Sequence, residues 1–283
     1  MKQSKHFALK NRFIPSVEEG SADTLGYWFI FSEDRLLIAE TEPNSGTQKP
    51  FTPKLLGIET TFTRLFGYYE SVPCFLATID PAQHVPFMSP VSLRALFGAV
   101  DEDYFSLAGR ALQILHHTRE HRYCSKCGTS LEDRRGELAR FCPACGFICF
   151  PRISPAVIMS VVNGEHILLG RGPHFAKDMY STLAGFVEAG ETLEEAVCRE
   201  VKEETAISID QVSYVTSQAW PFPHSVMIGF TARYRKGEIH IDTQELEDAR
   251  WFHYKDLPQL PSRITIARLL IDKFIRSAKE KYD

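Results

Sequence analysis

The chain holds 283 residues with a formal net charge of −4 and a sequence pI near 6.2, a balance that argues against extended nucleic-acid binding through a basic surface. With 44% hydrophobic and 24% charged residues, it has the composition of a soluble globular protein of about two domains. No apolar run approaches the ~20 residues of a membrane span, and the basic start "MKQSKHFALKNRFIPS" lacks the apolar core of a secretory signal, so no membrane partner and a cytoplasmic location are expected.

Residues 1–120 are predicted to form a β-rich domain with a linking helix. "GYWFIF" and "RLLIAE" flank Ser32-Glu33-Asp34 as one hairpin, and "LFGYYE" with "CFLATID" makes a second. "SPVSLRALFGAV" reads as a short helix. "DEDYFSLAGRALQILHHTREH" reads as a longer one, with an acidic start and apolar residues at Leu107, Ala111, Ile114 and Leu115.

Residues 121–151 carry the clearest spacing in the chain. Cys124-x2-Cys127 and Cys142-x2-Cys145 stand fourteen residues apart, the pattern of a four-cysteine zinc site. Gly128 and Gly146 each follow a second cysteine, where a tight turn aims backbone amides at thiolates. Four thiolates close the zinc shell, so one structural Zn2+ per chain is expected and catalysis belongs elsewhere. Cys74, Cys149 and Cys198 are scattered, poor spacing for a disulfide framework.

Residues 152–283 are predicted to be an α/β/α layered domain. "AVIMSVV" and "HILLGR" are joined at Asn163-Gly164, a hairpin signal. Strands follow near "QVSYVTSQ" and "SVMIGFTARY", Lys236-Gly237 turns into "EIHID" as a further strand, and a terminal helix covers about Thr265 to Lys279.

Between the first two strands and the next two lies "LAGFVEAGETLEEAVCREVKEETAI", with seven glutamates in twenty-five residues. Thr192 and Glu195 form a capping box, and the helix runs to about Thr205. At roughly 100° per residue, Glu200 and Glu204 fall among the stripe of Leu193, Val197 and Val201, while Glu195, Arg199 and Lys202 point away. Two carboxylates beside a core-facing stripe demand a cation, because buried unpaired charge costs several kcal/mol or more. With no lysine or arginine on that arc, a hard divalent metal is one reading. A solvated, charge-rich helix is the other.

The same stretch matches the signature of the Nudix hydrolases, through Gly185, Glu191, Arg199-Glu200, Val201, Glu203-Glu204 and Ile207. Ala206 stands where that family usually has glycine; in a left-handed helix cap this costs on the order of 1 kcal/mol and leaves every charged position intact. "SQAWPFPHS", Ser217 to Ser225, resembles the element that marks the NADH pyrophosphatases among them, with Ala219 in place of a proline. These enzymes place a β-rich domain and a four-cysteine ribbon before the Nudix domain, the order read above. The resemblance implies an α/β fold: a Nudix α/β/α sandwich preceded by the ribbon and the β-rich domain.

It also implies an activity, the metal-dependent hydrolysis of the pyrophosphate of NADH to reduced nicotinamide mononucleotide and AMP. Glu200 and Glu204 match the family's Mg2+ or Mn2+ ligands, with Glu245 and the carbonyl of Ala184. Glu203 matches a ligand or water-activating group. Arg199 orients the glutamates. Without the resemblance, Glu245 would be one of a surface acid cluster with Glu247 and Asp248. Substrate contacts are implied for Gln218, Ala219, Trp220, Pro221, Phe222, Pro223, His224 and Ser225, a loop that Pro221 and Pro223 stiffen. Read locally, that loop is a structural turn with core aromatics. Glu137, Phe150, Phe186 and Ala267 match further contacts, and Arg94 a looser one. Phe150 lacks the hydroxyl that relatives can carry there, and Phe186 serves equally as a stacking ring or a core residue.

The implied partners are a dinucleotide, NADH or NAD, the 5′ end of an NAD-capped RNA, and a second copy of the chain. Two alternatives stay open: a broader Nudix hydrolase acting on ADP-ribose or other dinucleotides, and a non-enzymatic binding module built on the ribbon.

Overall fold

A computed structural model describes Leu9, residues 12–40 and residues 49–283, so most of the basic N-terminal start lies outside the described residues. The chain divides into two compact units. One comprises the chain up to Arg152 together with Pro221–His224, and the other Ile153–Trp220 with Ser225–Asp283.

In the first unit, β1 (Phe13–Glu19), β2 (Tyr27–Ser32), β3 (Arg35–Ala39), β4 (Phe62–Tyr69), β5 (Val72–Thr78) and β6 (Met88–Ser92) form one sheet in the order β1-β4-β5-β2-β3-β6. Both expected hairpins are present, β2–β3 and β4–β5. Non-neighbouring β2 and β5 run parallel. Successive residues of β2 take opposite faces, as the strand period requires. Phe29 and Phe31 enter one core with Leu76, and Trp28 and Ile30 enter another with Phe75 and Val85. Helix α1 (Glu102–Glu120) lays Leu107, Ala108, Ala111 and Leu115 onto the Phe29 face. The Asp101 carboxylate caps it, accepting from the amides of Asp103 and Tyr104 at 2.9 and 3.2 Å.

"SPVSLRALFGAV" is not a helix. Its first part belongs to β6, whose Ser89–Ser92 pair with β3, and only Leu93–Leu96 make a single 3-10 turn. Pairing with the sheet edge takes precedence over the local pattern, and Leu93 and Leu96 still reach the core. The ribbon follows as three two-residue strands, β7 (Glu132–Asp133), β8 (Arg140–Phe141) and β9 (Ile148–Cys149), in that order.

The second unit is built on β10 (Ser154–Asn163), β11 (His166–Arg171), β12 (Leu183–Phe186), β13 (Ser208–Trp220), β14 (Ser225–Lys236) and β15 (Asp248–His253). The order is β13-β14-β10-β11-β15, with β12 added on β10 and with β10 and β14 parallel. Helix α2 (Leu193–Thr205) covers one face through Val197 and Val201 against Val157, Met159 and Leu168. Helix α3 (Ile266–Tyr282) covers the other through Ile271 and Phe274 against Ile167 and Leu169. This is the layered α/β/α arrangement expected.

Two local expectations need correction. The β10–β11 turn is Gly164-Glu165, because Asn163 is still paired with His166. "EIHID" is not a strand: the amides of His240 and Asp242 donate to the carbonyls of Thr205 and Glu204 at 3.0 and 3.1 Å. Its donors satisfy the open C-terminal carbonyls of α2 instead of extending the sheet. No helix among the described residues is long and apolar enough to cross a membrane.

Candidate active site

Helix α2 begins with the capping box: Glu195 N donates to Thr192 Oγ1 at 3.2 Å, and Thr192 N donates to the Glu195 carboxylate at 2.8 Å. It ends at Ala206, which adopts φ 61° and ψ 6°, the left-handed cap expected to favour glycine. Between these ends the helix buries Glu200 and Glu204, the latter only 5% exposed.

Gly185 of β12 explains how Glu200 fits. A Cβ built on Gly185 would lie 1.9 Å from Glu200 Cδ, so the carboxylate occupies the volume of the missing side chain. The sequence marks Gly185 as part of a pattern, but its steric reason exists only once β12 and α2 are packed.

Three carboxylates converge here. Oxygens of Glu200, Glu204 and Glu245 lie within 4.8 Å of one another. Glu245 reaches the pair from an exposed loop anchored by buried Leu246, with the amides of Glu245 and Leu246 both donating to the Asp242 carbonyl at 3.1 and 2.9 Å. Burial, then the charges of Glu200 and Glu245, push the Glu204 carboxyl up to about 8, while the Ala184 backbone amide partly opposes this. Burial also raises Glu200, against the pull of Arg199. An all-oxygen donor set that holds excess negative charge fits a hard divalent cation.

Arg199 qualifies the expectation that no cation reaches this arc. Its guanidinium donates to Glu191 at 2.7 and 3.0 Å, to Glu200 at 2.9 Å, to Glu203 at 2.9 Å and to the Phe186 carbonyl at 2.9 Å. The long side chain curls back along the helix from the neighbouring face. Glu191 is held below the ordinary carboxylate range by Arg199 and by the Glu188 amide. Glu204 receives no such partner. Glu203 is exposed on Arg199 and is not one of the converging trio.

The remaining expected site residues separate by unit. In the second unit, Phe186 is 60% exposed, Ala219 is exposed and Trp220 is half-buried, while Ser225 and Ala267 are buried. Gln218 is engaged at both ends of its amide, donating to the Ile264 carbonyl and accepting from the Ile266 amide, both at 2.9 Å. Its observed task is to fasten β13 to the start of α3. Pro221–His224 belong to the first unit. There Pro221 packs on Gly109, and Phe222 carries the Arg94 guanidinium 4.4 Å above its ring. Glu137 pairs with Arg134 at 3.3 Å on the ribbon surface, and Phe150 is exposed.

In the ribbon, the Cys124–Cys145, Cys127–Cys142 and Cys127–Cys145 Sγ separations are 3.6, 3.5 and 3.6 Å. A tetrahedral zinc with Zn–S bonds of about 2.3 Å needs about 3.8 Å, so the four thiols fit the ion with a shift of tenths of an ångström. Gly128 and Gly146 take φ 77° and 72°. Their amides close the two cysteine turns on the carbonyls of Cys124 and Cys142 at 2.9 and 3.0 Å.

Residues 152–274 match the NUDIX domain family, residues 25–116 the NADH pyrophosphatase-like rudimentary NUDIX domain, and residues 119–150 the NADH pyrophosphatase zinc ribbon domain. The chain is 47% identical over 209 residues to the NAD-capped RNA hydrolase NudC of Stutzerimonas stutzeri (strain A1501), covering 74% of this chain and 76% of that protein. It belongs to the NudC-type Nudix hydrolases.

The NudC of Pseudomonas putida (strain GB-1) is 45% identical over the same length, again covering 74% of this chain and 76% of that protein. A Nudix hydrolase structure from Nitrosomonas europaea superposes with a TM-score of 0.43 at 22% identity, covering 57% of this chain and 92% of that one. The ribbon of this Nudix hydrolase is thus a structural zinc module, and its catalytic chemistry is that of a divalent-metal diphosphatase.

Proposed function

We propose that this Nudix hydrolase cleaves the diphosphate of NADH, NADH + H2O giving reduced nicotinamide mononucleotide and AMP, with Mg2+ or Mn2+ as the catalytic ion. The observation that carries the reading is the convergence of two buried carboxylates, Glu200 and Glu204, with Glu245. Glu200, Glu204, Glu245 and the Ala184 carbonyl would hold the ion. When bound, it supplies charge neutralisation for the diphosphate oxygens and a lowered pKa for a coordinated water.

The chain's own groups do the positioning. Arg199 locks Glu191, Glu200 and Glu203 to the Phe186 carbonyl, so the carboxylates are set before substrate arrives and little reorganisation is needed. Glu203 is near enough to Glu200 for their charges to interact, and we read it as a ligand or a water-activating group beside the trio. The exposed Phe186 ring offers a stacking face for a base or nicotinamide.

Relatives named NAD-capped RNA hydrolases extend the reading to the same bond at an RNA 5′ end. The net charge of −4 gives little grip on a longer strand, so recognition would be confined to the cap. We read the chain as three parts, residues 1–120, 121–151 and 152–283, and as a homodimer, which light scattering would test.

The deciding experiment incubates the protein with NADH and Mn2+ and separates the products, with Glu204→Gln alongside. AMP and reduced nicotinamide mononucleotide from the wild type alone support the reading. No turnover from folded, zinc-loaded protein overturns it. Relative rates on NAD, ADP-ribose and NAD-capped RNA then rank the substrates.

A further inference from the structure

Outside the carboxylate site and the ribbon thiols, one other group of metal-ligating side chains comes together among the described residues: His117, His121 and Cys149, with one donor atom from each within 4.8 Å of the other two. His117 and His121 lie one turn apart at the C-terminal end of α1, and Cys149 is on β9 beside the ribbon core.

His117 is the unexplained member. It is only 4% exposed, and neither ring nitrogen has a hydrogen-bond partner. The ring comes near the Cys149 backbone, but not in hydrogen-bond geometry. Buried polar groups are nearly always satisfied, and leaving one bare costs about 1–3 kcal/mol. Burial, then the neighbouring His121, Arg140 and Arg64, disfavour a charged ring at this position.

His121 is arranged differently and to the same end. Its Nδ1 lies 3.2 Å from the His117 carbonyl oxygen and donates to it, which leaves Nε2 as the lone-pair nitrogen. Backbone support of one ring nitrogen is the usual outer-shell device of a metal-bound histidine. The positive charges nearby are answered in part, since Asp133 pairs with both Arg64 and Arg140.

We infer that His117, His121 and Cys149 form a second metal site in this chain, for a divalent transition metal that takes nitrogen and sulfur ligands, zinc foremost. Two imidazoles and a thiolate are such a donor set, and cobalt(II) substitutes for zinc in it. Cys149 would give up its thiol proton on binding. Three protein ligands leave a fourth position for water, unlike the closed four-thiolate ribbon. The site rests on no assumption about the reaction at Glu200 and Glu204.

The test is the zinc content of the full-length chain after exhaustive dialysis against metal-free buffer, for wild type, Cys149→Ser and His121→Gln. Glu204→Gln is measured in parallel to discount any zinc retained by the carboxylates. Two zinc ions per wild-type chain, falling to one in both ligand variants and unchanged in Glu204→Gln, support the site. Cobalt(II) reconstitution should then show thiolate-to-metal absorption that weakens in Cys149→Ser. One zinc per wild-type chain overturns the inference, and so does a second zinc that both ligand variants retain. Because the wild-type count alone can refute the site, a variant that folds poorly does not rescue it.

Discussion

The sheet of the first unit and the sheet of the Nudix domain share a construction and differ in what their helices bury. Each has six strands, and each contains one parallel pair, β2–β5 in the first and β10–β14 in the second. Helix α1 turns Leu107, Ala111 and Leu115 to its sheet and buries no carboxylate, its one buried imidazole, His117, lying towards the C-terminal end. Helix α2 turns Val197 and Val201 to its sheet and, on the same side, carries Glu200 and Glu204 into burial. The scaffold therefore does not specify chemistry. Two carboxylates placed where leucines would satisfy the fold do so, at a cost in stability that the fold must absorb elsewhere.

The comparison breaks if removing a carboxylate costs stability, or if removing a core residue of the first sheet costs catalysis. Glu204→Gln is expected to lower kcat by about 10³-fold while leaving the thermal midpoint unchanged or higher without divalent ion. Steady-state kinetics and a melting curve check both halves. Phe29→Ala should do the reverse, losing about 3–5 kcal/mol in denaturant titration with kcat retained in the folded fraction. Gly185→Ala sharpens the contrast further. Its Cβ would collide with the far end of the Glu200 side chain, which can move, so kcat should fall about 100-fold with little change in stability.

Acidity supplies a finer test. The Glu204 carboxyl is raised from 4.5 to about 8, so the native state holds a proton there that the unfolded chain releases. Its contribution is fully present below pH 4.5 and is lost as pH rises through about 8. Protein kept free of divalent ions at the carboxylates should therefore lose more stability than Glu204→Gln over that rise, and Mg2+ should remove the difference. The smallest effect is Ala206→Gly, expected to stabilise α2 by about 1 kcal/mol because the cap already sits at φ 61°.

How far the sequence carried this picture depended on whether a feature was local. Helix α2 was legible from end to end, since a capping box, a period of 3.6 and a left-handed cap are all written within fifteen residues of one another. The same period set Glu200 and Glu204 among the core-facing stripe, but by itself it left a metal site and a solvated helix both open. Glu245 had no local signal, because its place depends on the Asp242 turn and on Leu246 anchoring the loop. "EIHID" misled because alternating residues mimic a strand wherever the backbone is extended, and its amides found helix carbonyls instead of a neighbour. Cys149 looked stray for the opposite reason. His117 and His121 lie one turn apart on α1, but the strand that brings Cys149 beside them is only two residues long.

The Gln218 side chain has a practical consequence. One amide group spans the end of β13 and the first turn of α3, holding residues 218 and 266 together across 48 positions of sequence. Ile266 N–H is buried and donates to that side chain, so its exchange with solvent deuterium reports whether the strand end and the helix start are docked. A single amide resonance thus becomes a gauge of that docking, readable without substrate, metal or turnover.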